Sequence, residues 1–89
     1  MSKLLLINLP YNASDREIRE WIESRGIGTK SIRIVRDHLA AGVSPAFGHV
    51  ELKGSIELKD AISILDGKRM RNHTVLAREI PAYASLKRF

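Results

Sequence analysis

The sequence predicts an α+β fold ordered strand, helix, strand, strand, helix, strand, and three observations carry that reading. Short apolar stretches recur at Lys3 to Asn8, Ser31 to Arg36, Ala46 to Lys53 and Thr74 to Ile80. Two segments between them place apolar residues at helical spacing, Ile18, Trp21 and Ile22 in one and Leu58, Ala61, Ile62 and Leu65 in the other. The breaks between segments fall on residues that end regular structure: Pro10, Gly26, Gly42, Pro45, Gly54, Gly67 and Pro81. Together they give the split β-α-β pattern of the ferredoxin-like fold, a four-stranded antiparallel sheet with two helices packed on one face and the other face open.

Each element has a local cause. The first strand runs into Leu9-Pro10 and a loop. Ser14 suits a helix N-cap, and Glu17 three residues later completes a capping box. Gly26 stops that helix. In the second strand Ile32 and Ile34 share a face, and His38 to Pro45 is read as a loop. Gly54 breaks the third strand and Ser55 is expected to cap the second helix. Asp66-Gly67 ends that helix, Lys68 to His73 is read as a polar turn, and Pro81 ends the last strand.

The 89 residues fit one small domain, assigned to residues 1–80, followed by a basic tail over residues 81–89 that is read as a short helix or a disordered segment. There is no cysteine, which excludes disulfides and thiolate metal sites. None of His38, His49 and His73 has a second ligand at helical or hairpin spacing, so no metal is expected. The longest apolar run, Leu4 to Ile7, is too short to span a membrane or to serve as a signal peptide, and the chain is expected to be soluble and intracellular.

The net charge of +5 is unevenly placed. Residues 1–67 hold nine basic and nine acidic residues, whereas residues 68–89 hold Lys68, Arg69, Arg71, Arg78, Lys87 and Arg88 against Glu79 alone. Clustered positive charge suits a polyanion, nucleic acid being the commonest, and a solvated basic surface is the alternative.

Two strands carry more than charge. Leu4-Leu5-Leu6-Ile7-Asn8-Leu9 resembles the hexamer ribonucleoprotein motif of the RNA-recognition-motif family, and Pro45-Ala46-Phe47-Gly48-His49-Val50-Glu51-Leu52 resembles its octamer on the third strand. Leu65-Asp66-Gly67 sits where that family usually has Leu-Asn-Gly. The resemblance covers residues 3–80 and implies single-stranded RNA bound on the open face of the sheet, with bases stacked at Leu5, Phe47 and His49.

Strand alternation fixes which side chains can take part. Leu4, Leu6, Gly48, Val50, Leu52, Val75 and Ala77 are expected to face the helices. Leu5, Ile7, Arg33, Val35, Phe47, His49, Glu51, Thr74, Leu76 and Arg78 are expected on the open face. The expected RNA-binding set is Leu5, Ile7, Asn8, Arg33, Phe47, His49, Glu51, Leu76 and Arg78, with Lys87 and Arg88 from the tail. Arg33 and Arg78 suit phosphate pairing or stacking, with an exposed side chain or an ion pair to Glu51 as the alternative for each. Trp21, on the stripe of the first helix, is expected in the core.

The motifs also depart from the family pattern. Leu5 and His49 stand where two aromatics are usual, and Pro45 where a basic residue is usual. Stacking contributes about 1–3 kcal/mol per base, so the departures imply modest affinity.

Other functions weigh less. Acylphosphatases share the element order but need a glycine-rich turn with arginine after the first strand, where this chain has Leu9-Pro10-Tyr11-Asn12. No paired carboxylates or nucleophile-base pair stands out, so neither catalysis, a cofactor nor a small-molecule substrate is expected, and the chain is read as a monomer. The alternative is a protein-protein interaction module. Some relatives bind a peptide through the helical face, often with an Arg-x-aromatic turn that Arg69-Met70-Arg71 lacks.

Overall fold

The computed structural model describes residues 3–36 and 46–80. Seven elements follow in order: β1 (Lys3–Leu9), α1 (Asp15–Glu23), β2 (Thr29–Val35), β3 (Ala46–Leu52), α2 (Leu58–Leu65), β4 (Lys68–Met70) and β5 (His73–Glu79). The strands lie in the order β2-β3-β1-β5-β4, all neighbours antiparallel. Strands β1, β2, β3 and β5 with the two helices match the expected β-α-β-β-α-β order.

The sheet has five strands rather than four. Lys68 to His73, read as a polar turn, instead contains β4, whose Lys68, Arg69 and Met70 pair with Val75, Thr74 and His73. The turn is only Arg71-Asn72, with Arg71 at φ 56°. Met70 is 3 % exposed and fixes the face of this short strand.

Alternation built the core. Leu4, Leu6, Val50, Leu52, Val75 and Ala77 are buried, and Ile18, Ile22, Ala61 and Leu65 of the helices meet them. Burying each large aliphatic side chain contributes about 1.5–3 kcal/mol before entropy is counted. Gly48 leaves room for Leu9, since a Cβ at that position would sit 3.0 Å from Leu9 Cδ1 and the leucine side chain would have to shift.

Leu9 breaks the alternation yet is fully buried. Leu6 pairs with Gly48 and Leu9 with Ala46, so Ile7 and Asn8 together oppose Phe47 in a β-bulge. Asn8 adopts φ 71°, a conformation asparagine tolerates better than most residues. The extra residue turns Leu9 back to the core. A second shift, between Thr29 and Ser31, does the same for Thr29, whose hydroxyl donates to Glu23 Oε2 at 2.7 Å and accepts from Arg19 Nη1 at 3.0 Å.

The helix ends divide in the same way between expected and unexpected. Ser14 caps α1, its Oγ accepting from the Glu17 N–H at 3.1 Å. The α2 cap is Glu57, which makes no side-chain capping bond, and Ser55 stands outside the helix. Trp21 is half-buried rather than in the core: it packs against the core's edge, donates its indole N–H to the Arg69 carbonyl at 2.8 Å and carries the Arg25 guanidinium 4.6 Å from its ring centre. A tryptophan N–H needs an acceptor, and the backbone of β4 supplies it.

Candidate nucleic-acid interface

Both helices cover one face of the sheet, and the side chains on the opposite face fall into three rows set by strand register. In the first, Val35 pairs with Phe47, the Ile7–Asn8 bulge opposes Phe47, and Ile7 pairs with Leu76. In the second, Arg33 pairs with His49, His49 with Leu5, and Leu5 with Arg78. In the third, Ser31 pairs with Glu51 and Glu51 with Lys3. The face therefore runs from an apolar end through a mixed middle to a charged end.

Phe47 is 38 % exposed and Val35 39 %, two of the three exposed large hydrophobic residues among those described. Leu5, Ile7 and Leu76 are half-buried beside them. An outward aromatic ring among aliphatic neighbours forms a flat surface that water wets poorly. Arg33, His49 and Arg78 are exposed, and Glu51 is half-buried.

The His49 imidazole is held below its ordinary value of 6.5, first by partial burial and then by the charges of Arg33 and Lys3. It is neutral at pH 7, a flat ring without a charge. Among the described residues Arg33 pairs with no carboxylate.

Arg78 has a partner, but not Glu51. Its Nη1 donates to Asp66 Oδ1 at 2.9 Å and to the Ala77 carbonyl at 2.8 Å. Asp66 Oδ1 also accepts the Ala77 N–H at 2.9 Å. These bonds, the backbone one foremost, hold the Asp66 carboxyl below its ordinary range. Glu51 instead accepts from Ser31 Oγ at 3.3 Å and lies 4.0 Å from Lys30 Nζ.

Of the expected residues, Leu5, Ile7, Arg33, Phe47, His49, Glu51, Leu76 and Arg78 share one face. Asn8 works differently: its amide donates to the Thr74 carbonyl at 3.0 Å, and its carbonyl lies 3.1 Å from His73 Nδ1, so it ties the bulge of β1 to β5. Lys87 and Arg88, like the loop at His38 to Pro45, lie outside the described residues.

Sequence reasoning missed two arginines that brace the frame. Arg36 Nε donates to the Tyr11 carbonyl at 2.7 Å and its Nη2 to the Ala13 carbonyl at 2.5 Å, pinning the β1–α1 loop to the end of β2. Arg71 reaches Glu17 and Asn12 from the β4–β5 turn. Both contacts join distant segments, and no local pattern signals them.

The fold and face define a ferredoxin-like sheet domain with one helical face and one open platform that is apolar at one end and cationic in the middle. A family model described as the RNA recognition motif matches residues 4–76, and the chain belongs to that family. Among solved structures, that of the Mip6 RRM3 domain aligns with a TM-score of 0.76 and 24% identity, over 88% of this chain and 90% of that one. The RNA recognition domains 1 and 2 of Sex-lethal from Drosophila melanogaster align at 0.71 and 24%, over 94% of this chain and 52% of that one. The Rna15 RRM with bound RNA (GU) aligns at 0.67 and 16%, over 94% and 92%. These likenesses are of fold. No curated protein matches the sequence significantly. Among the described residues, no helix is long and apolar enough to cross a membrane.

Proposed function

We propose that the open face binds single-stranded RNA. The observation that carries this is the exposed ring of Phe47, outward at the octamer's first aromatic position and flanked by an apolar row and a cationic row. Family membership supports it, as does the bound RNA in the structure of the Rna15 RRM. Phe47 stacks one base, His49 offers a second and smaller platform, and Leu5 gives an aliphatic contact between them and Arg78. Arg33 and Arg78 meet phosphates. Because one platform is aliphatic and another is an imidazole, affinity is modest, each full stack being worth about 1–3 kcal/mol. The role is binding without catalysis, by a single copy, with Lys87 and Arg88 adding long-range attraction.

A peptide partner on the helices is less well supported. Residues exposed on α1 include Asp15, Arg16, Glu20 and Glu23, and on α2 Lys59, Asp60, Ser63 and Ile64. Ile64 is the sole large hydrophobic residue exposed on either helix, whereas Val35 and Phe47 lie together on the sheet. Titration with short RNA, followed by backbone NMR shifts, separates the two readings. Shifts at Leu5, Arg33, Phe47 and His49 are expected; shifts confined to α1 and α2, or none, would reject RNA binding by the sheet.

A further inference from the structure

Glu51 is out of place on a surface that meets phosphates. It stands on the open face, two residues along β3 from His49, with a side chain only 22% exposed. A carboxylate there repels a polyanion unless it meets hydrogen-bond donors. Its two contacts are weak, a hydroxyl at 3.3 Å on Oε1 and an ammonium at 4.0 Å from Oε2, so they hold the group upright without saturating it. Arg33, the lateral neighbour of His49 in the register, presents donors on the adjoining side.

We infer that the His49 position selects guanine, with Glu51 as the specificity-determining residue and Arg33 as its complement. This rests on RNA binding by the open face. A base lying on the imidazole has its edges over residues i+2 on the same strand, about 6.5–7 Å away, and over the neighbour on the next strand, about 5 Å away. Those residues are Glu51 and Arg33. Two carboxylate oxygens require two adjacent N–H donors, and guanine alone among the four bases has them, at N1 and N2. Guanine O6 and N7 accept from an arginine fork on the adjoining edge. Adenine and cytosine bring one amino group beside a ring acceptor. Uracil brings one N–H between two carbonyls, which face the carboxylate unfavourably.

The test is equilibrium titration of uridine-rich hexanucleotides that differ at one central position, carrying U, A, C, G or inosine. Guanine should bind about tenfold more tightly than the other three, near the lower end for a bidentate base contact because the site is open to water. Inosine, which keeps N1–H but lacks the N2 amino group, should fall between. Glu51→Gln replaces one acceptor with a donor and should reduce the guanine preference, read as the ratio of guanine-strand to uridine-strand affinity of the same variant, below about threefold. An unchanged denaturation midpoint for Glu51→Gln checks that the fold is intact.

A wild-type guanine preference under about twofold, with binding still lost on Phe47→Ala, would overturn this assignment and leave RNA binding standing. A guanine preference that survives Glu51→Gln would overturn it as well, since the base would then be read elsewhere. Failure of every hexanucleotide to bind would remove both.

Discussion

Arg71 and Glu17, 54 residues apart in sequence, join through a two-pronged ion pair: Nε to Oε2 at 2.9 Å and Nη2 to Oε1 at 2.5 Å. The third nitrogen, Nη1, reaches Asn12 Oδ1 at 2.6 Å. The pair ties the β4–β5 turn to the first turn of α1. It also explains why Glu17 does not fold back to complete the capping box around Ser14: its carboxylate has a charged partner across the molecule. The turn holds Arg71 in the left-handed region at φ 56°, a strained conformation that these bonds help to offset.

Arg71→Ala should therefore destabilise the fold by about 1 kcal/mol, a charge-assisted network discounted for its partial exposure. Arg71→Gly should cost less, because glycine relieves the backbone. In a double-mutant cycle with Glu17→Gln, denaturant unfolding should show a coupling of about 0.5–1 kcal/mol that shrinks in high salt. Additive single effects would make the pair energetically silent.

Phe47→Ala should weaken RNA binding by about 1–3 kcal/mol, the range for one lost stacked base. Its ring is outward and 38 % exposed, so unfolding should move by clearly less than the roughly 3–5 kcal/mol of a core Phe→Ala change. Phe47→Leu should recover little of the binding, since it restores apolar area without a flat face. RNA titration and denaturant unfolding on each variant check this. A large stability loss with unchanged affinity would make Phe47 a structural residue.

Leu5 stands between His49 and Arg78 in the middle row, half-buried on the open face. Leu5→Tyr should tighten RNA binding by up to about 1 kcal/mol by adding a ring. The core lies on the other side of the strand and should tolerate the change. Weaker binding by a folded variant would show that RNA needs the aliphatic shape.

For His49 the sign of the pH dependence follows from its lowered pKa. Folding disfavours its protonation, so its contribution to stability is full above 6.5 and is lost as pH falls through the depressed folded value. RNA acts the other way: a nearby phosphate favours the imidazolium and raises the pKa in the complex. RNA affinity should thus increase as pH is lowered from neutrality through 6.5, and His49→Gln should flatten the curve. Parallel pH curves for wild type and variant would place His49 away from the phosphates.

The parts of this molecule that were legible in the sequence are those governed by a repeating local rule. Period-two alternation placed Phe47, His49, Arg33 and Leu76 outward and Val50, Val75 and Ala77 inward. Period 3.6 found the stripes of both helices. What escaped was set by single residues or by distant partners. The strand Lys68–Met70 has too few residues to show alternation, and its turn, Arg71-Asn72, carries no glycine. The α2 cap has no side-chain bond to betray it. Asn8, grouped with the RNA contacts because the motif ends there, shows its bulge only through the register of Leu6 and Leu9 against β3. Arg78 found Asp66 rather than Glu51 because β5 passes beside the end of α2, a proximity only the tertiary fold creates.

The Asp66 carboxylate has a consequence at the rim of the sheet. β4 pairs β5 only as far as Val75, and the Gly67 N–H closes that ladder on the Val75 carbonyl at 2.8 Å. Beyond it the Ala77 N–H would be an open docking point for a strand from another molecule. Asp66 Oδ1 fills that point, and its negative charge repels the carbonyl oxygens that an incoming backbone would bring. Along this stretch of β5 the sheet is closed to extension, so growth into a ribbon of stacked molecules is left to the outer edges of β2 and of the three-residue β4.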